Sequence, residues 1–199
     1  MANGGSTPIR LVVGITGATG SIFGIRLLEF LQRSNVETHL VLSPWGERNL
    51  EIETSYSVEQ VRQLATVVHP YRNQAASISS GSFLTAGMVI APCSVKTLAS
   101  IAAGLADNLI ARAADVVLKE RRKLVLAVRE APLNDIHLEN MLKLSRMGAV
   151  ILPPVPAFYN HPRSIDDLVD HTVARILDQF GLAPDWEKRW QGEASIPED

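Results

Sequence analysis

The sequence predicts an α/β fold, a parallel sheet with helices on both faces. Three observations carry that expectation. Short apolar runs recur along the chain and read as strands buried on both faces. Each is followed by a stretch with the apolar spacing of a helix. Gly, Pro, Ser and Thr punctuate the junctions. With 46% hydrophobic and 20% charged residues over 199 positions, the chain suits one compact domain with a buried core.

The elements follow in order. Leu11-Val-Val-Gly-Ile15 is the first strand, and helical spacing begins after a Gly- and Thr-rich turn, over residues 25–31. Thr38-His-Leu-Val-Leu42 reads as the second strand and residues 46–53 as the next helix. Met88-Val-Ile-Ala91 is a third strand, ended by Pro92. Residues 94–114 form a small-residue, Ala-rich helix with a break near Gly104. Leu124-Val-Leu-Ala-Val128 is the fourth strand, residues 135–147 a helix, and Ala149-Val-Ile-Leu152 the fifth strand. Residues 165–180 make the last helix, with Gly181 as its C-cap. A single domain is expected over residues 10–192, between a flexible N-terminal tail at 1–9 and a C-terminal tail at 193–199.

Composition narrows the function classes. The net charge is −2 and no basic stripe is present, which argues against a nucleic-acid partner. The charge run Lys119-Glu-Arg-Arg-Lys123 reads as the solvated end of a helix. One cysteine, Cys93, cannot form an internal disulfide, which points to a reducing, cytoplasmic setting. No secretory signal is visible, and the apolar stretches stop well short of the roughly 20 residues of a membrane span, so no membrane partner is expected.

Ligands of such sheets bind beyond the carboxyl ends of the strands. The residues there are Thr16 to Gly20, Ser43, Pro92-Cys93-Ser94, Arg129-Glu130 and Pro153-Pro154. The turn Gly14-Ile-Thr-Gly17-Ala-Thr-Gly20 lies between strand and helix, where glycines let backbone N–H groups approach a phosphate. A dinucleotide site would place an acid after the second strand, yet that strand ends Val41-Leu42-Ser43-Pro44. FMN asks for a phosphate cradle, hydroxyl donors and a slot for its ring, and this Rossmann-like rim offers all three. Cys93 reads as a small buried residue with no activating histidine, and the five histidines show no metal-ligand spacing. Asp166-Asp167, the only aspartate pair, suits helix capping better than a metal.

Six motifs then follow one another: Gly14-Ile-Thr-Gly-Ala-Thr-Gly20, Ser79-Ser-Gly-Ser82, Ala91-Pro-Cys-Ser-Val-Lys-Thr97, Arg112-Ala-Ala-Asp-Val-Val-Leu-Lys-Glu120, Val128-Arg-Glu-Ala-Pro132 and Pro156-Ala-Phe-Tyr159. Together, over about residues 10–191, they resemble the UbiX-type flavin prenyltransferases, in the branch that accompanies phenolic (hydroxyarylic) acid decarboxylases. The resemblance implies a Rossmann-like flavoprotein that joins a dimethylallyl group from dimethylallyl monophosphate to reduced FMN, at N5 and then C6. The product serves a UbiD-type decarboxylase. It also implies no metal requirement and a homo-oligomer, a dodecamer, with active sites where subunits meet.

Residue roles carry over motif by motif. The resemblance implies FMN contacts from Gly17, Ala18, Thr19, Ser43, Ser94, Val95, Lys96, Thr97 and Arg129. It implies catalytic roles for Thr19, Glu53 and Glu130. Arg112, Lys119, Tyr159 and Arg175 would hold the donor phosphate, the last two from a neighbouring subunit. Arg112 and Lys119 are seven residues apart, about two turns, and so share one helix face. Thr19 stands where many members carry serine, and Pro44-Trp45 where many carry Lys-Ala. Trp45 offers an aromatic face to the allyl group, with core packing as the rival reading. A non-catalytic FMN carrier would keep Gly17, Ser43 and Arg129 but would need neither Glu130 nor Lys119.

Overall fold

The computed structural model describes residues 9–182 and 184. Residues 1–8 of the expected 1–9 tail, the expected tail at 193–199 and the 185–192 end of the expected domain lie outside the described residues.

Six strands form one sheet in the order β3-β2-β1-β4-β5-β6, and every neighbouring pair is parallel. The strands are β1 Arg10–Ile15, β2 Glu37–Leu42, β3 Val67–Val68, β4 Gly87–Cys93, β5 Lys123–Val128 and β6 Val150–Ile151. The helices are α1 Ser21–Arg33, α2 Pro44–Glu53, α3 Val58–Gln63, α4 Val95–Ala103, α5 Leu109–Lys119, α6 Asp135–Arg146 and α7 Ile165–Asp178.

Strand period decides which helix covers which face. Val12, Met88, Ile90, Leu124 and Leu126 point to one side and pack with α4, α5 and α6. Leu11, Val13, Ile15, Val89 and Val125 alternate to the other side and pack with α1 and α7. Burial on both faces is why the strands read as continuous apolar runs rather than alternating ones.

Three features differ from expectation. β3 is only two residues long and α3 only six, too short for periodicity to reveal. β4 continues through Pro92 to Cys93 instead of ending before it. The β4–β5 register shifts between Ile90 and Cys93, so the missing Pro92 N–H falls at an irregularity. The expected break in the Ala-rich stretch is found at Gly104, whose φ of 70° closes α4 and turns the chain toward α5. α7 ends at Asp178, with Gly181 beyond its cap at φ 69°.

The Asp pair behaves as expected of capping residues. Ser164 and Asp167 form a reciprocal capping box at the start of α7, and Asp166 pairs with Arg26 at 3.1 Å.

Candidate active site

The strand order reverses direction between β1 and β4, and a crevice opens there at their carboxyl ends. Thr16 joins the two strands. Its backbone N–H and its hydroxyl both donate to the Pro92 carbonyl, at 3.2 and 2.8 Å, and its Oγ1 accepts from the Ser94 N–H at 2.8 Å. The residue is 1% exposed, so these bonds work in a dry setting and fix the β1 turn against the start of α4.

The crevice encloses about 850 Å³, within the range of small-molecule sites. Gly17, Ala18 and Thr19 form one wall, Ser43, Pro44 and Trp45 a second, Ser94 to Thr97 a third, and Arg129 with Glu130 a fourth. Four helices, α1, α2, α4 and α5, therefore begin at its rim. Their side-chain caps are Ser43 for α2, Ser94 for α4 and Asn108 for α5. Helix N-termini and hydroxyls with a few cations make a donor set suited to a phosphate and a polyol chain. Gly17 is part of that cradle, because a Cβ there would lie 2.4 Å from the Trp45 Cβ. The residues present thus fit FMN, whose ring would add an electron-rich nucleophile to the crevice.

Glu53, at the far end of α2, does not line the crevice but borders it. Its Oε2 accepts from Gly20 N at 2.8 Å and Ser21 N at 3.1 Å. Gly20 is the N-cap of α1 and has no side chain to cap with, so a carboxylate from another helix takes that role. Glu130, opposite, accepts from the Ala131 N–H at 3.2 Å.

The four expected phosphate ligands lie outside this crevice in the single chain. Arg112 donates to the Ser79 carbonyl at 3.2 Å and pairs with Asp115 at 2.8 Å. Lys119 contacts Glu120, next to Gly81. Arg122, one of the charge run read as solvated, grips the same loop through the Gly81 and Phe83 carbonyls at 2.6 and 2.8 Å. Tyr159 packs edge-on against His171 of α7, and Arg175 pairs with Asp178 at 2.6 Å. α5 packs on one face of the sheet and α7 on the other, and no contact joins the two pairs among the described residues.

The sequence reading missed Tyr71, Arg72, Ser100, Asp107 and Asn108, which also line the crevice. Tyr71 and Arg72 follow β3, so recognising that strand would have flagged them. Leu109 N–H donates to the Tyr71 carbonyl at 2.9 Å and Gln74 to the Ala106 carbonyl at 2.8 Å, which ties the two loops into one wall. Burial, then the Asp107 charge, raises the Tyr71 phenol above its ordinary value and keeps it protonated.

Other titratable groups take structural places. Cys93 is buried, and burial pushes its thiol up to about 12. His39 Nδ1 and His69 Nε2 are 2.9 Å apart in a stacked pair, and His39 Nε2 lies 3.1 Å from Glu37. Among the described residues no group of three or more His, Cys, Asp or Glu is arranged to hold a metal ion, and no helix is long and apolar enough to cross a membrane.

Known proteins place this geometry. The sequence profile described as Flavoprotein matches residues 2–177. A probable UbiX-like flavin prenyltransferase of Bacillus subtilis (strain 168) is 61% identical over 188 residues, covering 94% of this chain and 92% of that protein. This chain belongs to the UbiX-like flavin prenyltransferases. Among solved members of the family, the crystal structure of AnUbiX (PadA1) in complex with FMN and dimethylallyl pyrophosphate superposes with a TM-score of 0.93 at 54% identity, covering 94% of this chain and 99% of that one. A dodecameric FMN-dependent UbiX-like decarboxylase from Escherichia coli O157:H7 superposes at 0.91 with 60% identity, over 92% and 100%. The UbiX-like sheet is therefore the frame on which Thr16 joins the two strand ends.

Proposed function

We propose that this chain is a flavin prenyltransferase that transfers a dimethylallyl group from dimethylallyl monophosphate to reduced FMN, without a metal, for a UbiD-type phenolic acid decarboxylase. One observation carries the reading: the nine residues expected to hold FMN, from Gly17 to Arg129, line one crevice at the β1/β4 switch point. Glu130 stands on the same rim, where a carboxyl group can pass a proton to the departing phosphate. Thr19 lines the crevice, Glu53 accepts from the N–H of the next residue, Gly20, and these two are the groups proposed to act on the flavin edge. The allylic C–O bond breaks with its electron pair leaving on phosphate, and flavin N5 bonds to the allyl C1 as the N5 proton passes to the departing phosphate; the alkene then takes a proton at its C2, C6 bonds to the cationic C3, and the C6 proton goes to a carboxylate.

The donor phosphate is assigned to Arg112 and Lys119 of one subunit with Tyr159 and Arg175 of its neighbour. Their placement on opposite sheet faces supports a shared site. Assembly as a dodecamer, the state named for the Escherichia coli O157:H7 relative, would supply the neighbour. AnUbiX is named with the pyrophosphate, and the monophosphate is proposed here as the donor that the family resemblance implies. A cytoplasmic location suits the buried free thiol. A single domain over residues 10–192, flanked by two tails, remains the proposed organisation.

The test is a coupled assay. Reduced FMN and dimethylallyl monophosphate are incubated anaerobically with the chain, and the filtrate is added to a flavin-free UbiD-type decarboxylase. Release of CO₂ is expected with the wild type and its loss with Glu130→Gln. Full activation by Glu130→Gln would favour a flavin carrier.

A further inference from the structure

Trp45 is the largest exposed aromatic surface at the crevice. The residue is 68% exposed although it sits at the first turn of α2, against Gly17. The core-packing alternative fails on that exposure. An indole left in water is costly, since aromatic side chains gain by burying about 150–250 Å². A five-carbon alkyl group covers only a fraction of such a face, whereas a fused three-ring flavin matches it.

Position gives the same answer. Gly17 touches Trp45 in space and Ser43 precedes it by two residues, and both are among the proposed FMN contacts. Arg112 and Lys119, proposed for the donor phosphate, lie off the crevice. The other aromatic of the crevice, Tyr71, is partly buried against the α4–α5 core, which leaves its ring less free to stack. Gly17 has no side chain to hold the indole away from the first turn.

We infer that Trp45 is a flavin-binding residue whose indole stacks on the isoalloxazine ring. This rests on the FMN reading above. Stacking orders the ring against the Gly17–Thr19 wall and screens one face from water. It also quenches flavin emission by electron transfer from the indole.

The test is titration of oxidised FMN into the full-length wild type, Trp45→Leu and Trp45→Phe, read by flavin fluorescence and dissociation constant. The wild type is expected to quench bound FMN strongly. Trp45→Leu should weaken binding about 3- to 10-fold and restore emission, while Trp45→Phe keeps most of the affinity. Circular dichroism and Tm check that the variants are folded. Equal affinity and equal quenching in Trp45→Leu would overturn the inference. So would unchanged FMN binding accompanied by a raised KM for the alkyl donor, which would assign the indole to the donor. If the wild type binds no FMN at all, the functional reading fails first, and that result is distinct from either.

Discussion

The Glu53 carboxylate caps a helix to which it does not belong, accepting from the Gly20 and Ser21 N–H groups at 2.8 and 3.1 Å. The contact couples the end of α2 to the first residue after Thr19, so one side chain both shapes the turn and stands beside the proposed chemistry. Structure and catalysis can be separated there. Glu53→Gln keeps an acceptor oxygen and should hold Tm near the wild type, while turnover falls about 100-fold or more if the carboxylate takes a proton. Glu53→Ala removes the cap, costing about 1 kcal/mol and roughly 2–4 °C in Tm by calorimetry.

Thr16 holds β1 to β4 through bonds to Pro92 and Ser94. Thr16→Val keeps the shape and leaves the partly buried Ser94 N–H without its partner. A loss of about 1–3 kcal/mol and a Tm fall of roughly 2–12 °C are expected, with weaker FMN binding. Thr16→Ser should restore both. Scanning calorimetry with and without FMN reads the result.

Gly17→Ala places a Cβ 2.4 Å from that of Trp45 and must push α2 away from the turn. FMN affinity should drop about tenfold or more, by fluorescence titration. Gly104→Ala is the control, because nothing lies within 4 Å of its added Cβ. At φ 70° it costs about 1–2 kcal/mol of stability and should leave FMN binding unchanged.

The His39–His69 pair sets a pH dependence of stability. Burial lowers the His39 pKa below 6.5, only partly offset by Glu37, and burial with His39 lowers that of His69. Above 6.5 both states are neutral and the pair has no effect. Below it the unfolded chain binds protons that the folded chain resists, so stability falls as pH drops from 6.5 toward the folded pKa. Glu37 acts later. Burial raises its pKa, but Arg10 and His39 outweigh that and lower it, so its contribution is lost below about 4.5. Wild-type Tm should therefore decline as pH falls below about 6.5, and His39→Gln should flatten that slope. An unchanged slope would remove His39 from the account.

Much of this was legible beforehand, for physical reasons. Strands buried on both faces leave unbroken apolar runs, so β1, β2, β4 and β5 could be read directly, and topology then predicted a common rim for Gly17, Ser43, Ser94 and Arg129. Two-residue β3 left no periodic trace, and the Tyr71-Arg72 wall went unseen with it. Arg122 read as a solvated charge because sequence does not reveal that the Gly81 and Phe83 carbonyls lie within its reach. The contact of Glu53 with α1 spans 33 residues and has no local signature at all.

The most direct measurement is the mass of the flavin itself. Reduced FMN, dimethylallyl monophosphate and the full-length chain are incubated anaerobically with a metal chelator present, and the flavin is then extracted for mass spectrometry. The account predicts a flavin heavier by one dimethylallyl-derived unit, formed in step with free phosphate. FMN recovered unaltered, from protein shown to bind it, would contradict the account.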